Sequence, residues 1–350
     1  MAWPIRRAEE RRRKMSVPRE YRAYVASQLG TIPGEVSVLV SSRTSNAGTF
    51  LTHKGVTAGS IYTSIATAED ATTTQRNDTI LVTPESHAWR GDSNATAAAL
   101  TWDKTNTHVL GMSPSTLAGY TRARFSHSGY TMANFLTVSG ADNFFKNLRF
   151  MHGSSTGAAS DLTCAIVSGD GNRFEIVAFA GPNDATQAAT AGYLGVRVSG
   201  SHNYFKGCMF GSVNDIDRSA ANAILSFDTG CGAWNIFENC VFRSRSGGGQ
   251  ATAYFINDKV TDTVVDCTAV FLNCQFIHSG TALTLAIAKA ANTSRSLYFD
   301  NRCTFTNVTD IVADARNAEV IWGAAGSSPD GSALNDKLYL GIGQTPIHTA

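Results

Sequence analysis

The side chains best placed for chemistry recur beside one turn-like feature of the sequence, the tripeptide Val-Ser-Gly at 138–140, 167–169 and 198–200. Asp142, Asp170, His202 and Asp228 lie at or near it, with Arg173 and Arg197 close by. Grouped on one outward face, such acids could supply the acid and base of glycoside cleavage, or hold a cation beside a basic residue. Their offsets differ, because Asp142 and His202 lie four residues after the Val and Asp170 lies three after. The spacing therefore permits a glycan-facing ledge without compelling one, and Asp at a turn equally well bonds the turn backbone. Asp215 and Asp217 form a second pair open to both readings.

Cysteine is the other candidate. Of seven cysteines, Cys208, Cys240, Cys274 and Cys303 fall at the same position of a repeat, which reads as a ladder of small, reduced, buried thiols. The chain has no Cys-x-x-Cys pair and no His at ligand spacing from a Cys, so neither a metal site nor a cofactor is expected.

What positions these residues is the repeat itself. Asn143, Phe145, Asn147, Leu148 and Phe150 set the pattern. Asn172, Phe174, Ile176, Val177 and Phe179 follow it, then Asn203, Phe205, Cys208 and Phe210, then Asn235, Phe237, Asn239, Cys240 and Phe242. A later copy keeps Phe271, Asn273, Cys274 and Phe276, and a last one, with about one residue inserted, keeps Asn301, Cys303 and Phe305. Steps between the first phenylalanines are 29, 31, 32 and 34 residues, too variable for a coiled coil and too strand-like for helical repeats. Within a copy the apolar phase alternates with period two and then jumps by one at an Asn, which marks a corner, since Asn tolerates a left-handed backbone. Ser-Gly marks another. Strand, corner, strand, corner, strand at about thirty residues predicts a parallel β-helix with coils about 4.8 Å apart. Phe150, Phe179, Phe210, Phe242, Phe276 and Phe305 should then form one column.

Composition agrees: charged residues are 16% and glycines number 31. The net charge of +1 gives no global argument for nucleic acid or a membrane, but residues 1–24 hold eight Lys or Arg against three Glu. No apolar run is long enough to span a bilayer, and the N-terminus lacks the apolar core of a signal peptide, so neither insertion nor export by that route is expected.

Four regions follow. Residues 1–30 read as a basic helical arm: a charged helix to about Met15, a break at Pro18, then a helix with Val17, Tyr21, Tyr24, Val25 and Leu29 on one face and Gly30 as its stop. Nothing local covers that apolar face. The arm is therefore either a tail with a helix lying on the body or an anchor using Arg6, Arg7, Arg11, Arg12, Arg13, Lys14, Tyr21, Tyr24 and Leu29. Residues 31–59 read as an irregular or hairpin-like segment. From 60 to 322 runs the β-helix, opened by a capping helix over 60–71 with Ser60 as its cap and Ile61, Ile65 and Ala68 inward. The segment 323–350 is a C-terminal extension.

The cap helix, the strand Asn77 to Val82 followed by Pro84, and the Asn-x-Phe-x-Asn-Cys-x-Phe copies resemble the right-handed parallel β-helix proteins of the pectin-lyase-like class. They are similar in particular to β-helical structural proteins of tailed-phage virions, over about residues 60–315. The chain lacks the Asn-Thr-Asp, Asp-Asp, Gly-His-Gly and Arg-Ile-Lys signatures of polygalacturonase-like hydrolases and a lyase-type set of calcium carboxylates. With the basic arm, the uncovered helix face, a solenoid without catalytic signatures and no export signal, the expectation is a non-enzymatic capsid decoration or reinforcing protein of a tailed phage, made in the host cytoplasm and sited on the virion. Its partners would be the major capsid protein or other virion proteins, and it would be a homo-oligomer with a trimer favoured. The alternative it implies is a tailspike-type protein that binds or cleaves a host surface glycan.

Overall fold

The computed structural model describes residues 17–88, 100–113, 123–126, 134–152, 163–181, 185–189, 192–211, 220, 222–228, 231–246, 253–260, 267–290, 296–313 and 320–323. It is a right-handed parallel β-helix. Strands pair in parallel with their equivalents one coil away, as Thr163–Val167 does with Asn134–Val138 on one side and Leu194–Val198 on the other. One face is a seven-stranded sheet, most other strands merge into a sheet of seventeen, and two more pair by themselves.

A single coil shows why the sequence folds so. Strand Thr163–Val167 runs into Ser168 and Gly169, and Gly171 turns left-handed at φ 66°. Buried Asn172 follows, and strand Arg173–Ala180 bends where Ile176 turns left-handed at φ 53°. The same two corners recur: Asp142, Gly171, His202 and Trp234 at the first, and Asn147, Ile176, Gly207, Asn239 and Asn273 at the second. Asn and Gly suit that backbone, whereas β-branched Ile176 holds it under strain. Glycine in Ser-Gly has a steric cause. A Cβ on Gly169 would lie 2.0 Å from the Gly140 carbonyl oxygen, and one on Gly200 would lie 2.2 Å from that of Gly169.

Two roles that the sequence pattern merges in Asn are separate. The corner Asn residues supply the left-handed turn, while Asn143, Asn172, Asn203 and Asn235 form a buried ladder. There each side-chain oxygen accepts the backbone N–H one coil earlier, at 2.9 Å from Thr107, 3.0 Å from Asn143, 2.9 Å from Asn172 and 3.1 Å from Asn203.

The core is columnar. Phe145, Phe174, Phe205, Phe237, Phe271 and Phe299 stack in register with centroids 4.6–5.1 Å apart. The second column runs Phe125, Phe150, Phe179, Phe210, Phe242, Phe276 and Phe305, tightening to 4.2 Å at its last pair. Between them Cys208, Cys240, Cys274 and Cys303 are buried free thiols. Each donates to the carbonyl of the first-column Phe one coil before, at 3.3–3.4 Å. A thiol thus fills an apolar slot and also meets a corner carbonyl, which a methyl group could not do. In the seven-stranded sheet the register position of Phe227 passes to Asp258 and then Lys289, whose fully buried side chains form an ion pair at 3.0 Å.

The N-terminal part departs from expectation in three places. The capping helix is Ile65–Asp70, not 60–71, and Ser60 closes a short 3-10 turn. Ile61–Tyr62 is a strand, because pairing with Val38–Leu39 in the sheet outweighs helix formation there. Within 31–59, Val36–Leu39 pairs in parallel with Thr79–Val82, and Asn46–His53 is a helix whose Ser45 side chain accepts from Gly48 N–H. Helix Arg19–Leu29, ended by left-handed Gly30, has a local cover after all. Val17 and Val25 are buried with Val36, Val38, Leu81, Leu110 and Phe144 on the outside of the first coils. Farther on, Leu283–Leu285 pairs with Val308–Asp310, and Ile287–Lys289 pairs with Tyr254–Asp258.

Two buried titratable groups sit near this end. Phe144 N–H donates to His108 Nδ1 at 3.2 Å and Nε2 lies 3.2 Å from Asn77 Oδ1, so the ring is neutral with its proton on Nε2. Burial pulls its pKa down to about 4. Glu69, on the capping helix, is pushed up to about 7 by burial, with Lys104 opposing and Asp103 and Asp70 reinforcing.

Replacing Phe210 with Ala is expected to cost roughly 3–5 kcal/mol in denaturant unfolding, since it opens a cavity inside a continuous column. The two titratable groups act in opposite directions. The stability His108 contributes is complete above about 6.5 and drains as pH falls towards 4, whereas the cost of the Glu69 charge is full above about 7 and gone near 4.5. Melting curves between pH 8 and 4 should therefore show Glu69→Gln steepening the acid loss and His108→Gln flattening it, by roughly 2 kcal/mol each.

Candidate functional site

Positions flanking each inward Phe of the first column point outward, and stacking makes rows of them. One row in register is Phe144, Arg173, Tyr204, Ile236 and Val270; the next is Lys146, Glu175, Lys206 and Glu238. Charge alternates along the second row, so each carboxylate meets a cation on an adjacent strand. Lys146 Nζ lies 3.0 Å from Glu175 and Arg173 Nε donates to it at 2.8 Å. The Arg173 guanidinium is 5.3 Å from the Phe144 ring centroid and 5.7 Å from that of Tyr204. Lys206 Nζ reaches Glu238 at 3.3 Å, and the Tyr204 hydroxyl donates to the same carboxylate.

These contacts set protonation. Burial alone would raise Glu175, but hydrogen bonds from Lys146 and Arg173 hold it below the usual carboxylate range. Glu238 is lowered by the Tyr204 hydroxyl first and then by Lys206. Burial, and then the bond to Glu238, push Tyr204 up to about 12. The face therefore carries neutralised charges around the half-buried Tyr204 ring, with its acids ionised. Arg173 was already noted in the sequence. The rest of the row was legible only once residues beside each Phe were read across copies.

The sequence-predicted ledge residues lie along the first corner. Asp142 and His202 occupy its left-handed position and are exposed, one coil to either side of Gly171. Asp170 accepts the Ser201 N–H at 2.6 Å, and Asp228 pairs with Arg197 at 2.6 Å. Two of the four thus shape the turn, and the other two bond backbone or a cation. The corner also holds Trp234, left-handed at φ 61° and 48% exposed, which sequence reasoning missed although it stands one residue before Asn235 as His202 does before Asn203. Asp215 and Asp217 lie outside the described residues. So do Arg6, Arg7, Arg11, Arg12, Arg13 and Lys14 of the arm. Tyr21 and Leu29 pack on the body, while Tyr24 is 39% exposed and lines, with Glu20, Tyr21, Met112 and Ser113, a groove of about 450 Å³. Among the described residues no three His, Cys, Asp or Glu side chains gather as metal ligands.

Among solved structures, the chain is similar to pectin methylesterase PemA from Erwinia chrysanthemi at 14% identity and a TM-score of 0.47, covering 82% of this chain and 80% of that one. A pectin methylesterase from Aspergillus niger matches at 13% and 0.41, over 85% and 88% of the two chains. Pectate lyase Pel9A matches at 12% and 0.39, over 88% and 83%. No protein-family model matches the sequence, and no curated protein does. Likeness at this level reaches no further than the coiled architecture already evident from the strand pairing.

Replacing Glu175 with Gln leaves Lys146 and Arg173 on adjacent strands without their shared anion. A loss of about 1 kcal/mol is expected, deepening as salt is lowered, in denaturant titrations at two ionic strengths.

Proposed function

We propose that this chain is a non-enzymatic structural protein of a tailed-phage particle. In this reading it is a capsid decoration or reinforcing protein, with the β-helix as a stiff body and residues 1–30 as its anchor to the major capsid protein or another virion protein. The observation that carries the non-enzymatic part is geometric: Asp170 is tied to the Ser201 N–H, Asp228 to Arg197, and Glu175 and Glu238 to neighbouring cations. A general acid must hold a proton near neutrality. Among the described residues the one carboxyl whose pKa is raised is Glu69, which is 5% exposed inside the capping helix. Glu175, Glu238 and Asp300 on the outward face are all lowered. The anchoring part is supported by the basic composition of residues 1–24 and by a helix that fixes the end of the arm to the first coils. A homo-oligomer, with a trimer favoured, belongs to the same reading.

A second reading, a glycan-binding tailspike-type protein, is favoured by one specific observation: the first corner carries Trp234, 48% exposed, beside the exposed His202 and Asp142. Copy number and position in intact particles separate the two. Many copies on the shell, lost when residues 1–16 are deleted, are expected for decoration. A few copies at the tail tip, or release of reducing ends from host polysaccharide by the purified protein, would overturn it.

A further inference from the structure

The capping helix Ile65–Asp70 closes the first coils through Ile65 and Ala68, which are buried in the same apolar cluster as Leu39, Ile80 and Trp102. One residue of that helix is at odds with its place. Glu69 is 5% exposed, and its Oε1 is shut off from solvent without a hydrogen-bond partner. Its ion-pair partner, Lys104 Nζ, stands 4.0 Å from that oxygen, beyond hydrogen-bonding reach, and lies 3.6 Å from Asp103 as well. The exposed Asp103 carboxylate faces Glu69 closely enough for the two to share a proton, and Asp70 adds a second like charge. The strands packed against the helix, Val36–Leu39 and Ile61–Tyr62, bring one titratable group among the described residues, Tyr62, whose charged neighbour is Glu35. A carboxylate buried with one shared cation and two anions about it is unfavourable, whereas the neutral acid can donate its proton to Asp103.

We propose that Glu69 is a proton-operated catch on the capping helix: protonated, it donates to Asp103 and ties the helix to the loop after strand Leu100–Trp102, and ionised, it lets the helix open locally and uncover the end of the core. In the opened helix Glu69 returns to water and to the ordinary carboxylate range. The closed form is therefore favoured most at low pH, loses ground as pH rises towards about 7, and changes no further above that. The opening unit is small, six residues whose Glu69 carbonyl is held by the N–H and hydroxyl of Thr72, so it can part from the body while the coils stay stacked. The catch does not depend on the virion reading.

The test is hydrogen exchange of the full chain, read by mass spectrometry at about pH 5.5 and about pH 7.5 and corrected for intrinsic exchange rates. Peptides covering the helix, where the Ala68 N–H is bonded to the Ser64 carbonyl, are expected to lose about tenfold in protection at the higher pH. Strands in the middle of the stack, such as Arg173–Ala180, should not follow. Glu69→Gln should abolish the loss. Two variants at exposed or half-exposed positions guard against misfolding and carry opposite signs: Asp103→Asn removes a like charge and should shrink the loss, and Lys104→Gln removes the opposing cation and should enlarge it. Equal protection at both pH values, a loss that persists in Glu69→Gln, a loss shared equally by all coils, or Asp103→Asn and Lys104→Gln moving it in the same direction would overturn the catch.

Discussion

Every feature of this molecule answers to the distance between neighbouring coils. Backbone hydrogen bonding fixes it at about 4.8 Å, so whatever a residue is, its equivalents above and below are also that close. Flat rings meet the condition well: a phenyl group stacks on another at nearly the strand spacing, which is why six Phe stand in one column at 4.6–5.1 Å. Aliphatic side chains would fill the volume equally but would not repeat as a parallel stack. The same spacing forbids a Cβ at Gly169 and selects Asn for the buried corner, where one amide reaches the next coil's backbone without moving either strand.

On the outside the same spacing governs charge. A cation 4.8 Å from another cation is unfavourable, so a stable outer row must alternate, and Lys146, Glu175, Lys206 and Glu238 do. Alternation has a chemical consequence. Glu175 and Glu238 are each held ionised by neighbouring donors, which unsuits them to proton donation.

Much of this was legible in the sequence because the columns are repeats. The second-column phenylalanines, the Cys ladder, the left-handed corner at Asn147, Asn239 and Asn273, and the αL stop at Gly30 all follow from residue type at a fixed offset. Other features were not legible, for physical reasons. Phe299 opens the last copy of the first column, yet one inserted residue separates it from Phe305 and hides the match. Ile61–Tyr62 reads as helix locally and becomes strand only because Val38–Leu39, more than twenty residues earlier, is there to pair with it. The outer row escaped because its members share a position but not a residue type: Lys, Glu, Lys and Glu look unrelated until they are known to be adjacent. Corner acids were conspicuous for the opposite reason, since Asp142 and His202 stand out in sequence while serving the turn.

The first coils obey the repeat least, and their cohesion has a different origin. Ile80 and Val109 take the place of the first-column phenylalanines, and His87 that of the second. Lost stacking is replaced by polar contacts that bridge coils: His108 joins Asn77 to Phe144, and the buried Asp78 accepts from Glu35 N–H at 2.7 Å and Thr73 N–H at 2.8 Å. Helix Arg19–Leu29 adds its apolar face from outside. Such contacts respond to protons and salt in a way that stacked rings do not. The end that carries the arm is therefore where protonation of buried groups weighs most, at His108 and Glu69, while the stacked rings themselves are indifferent to it.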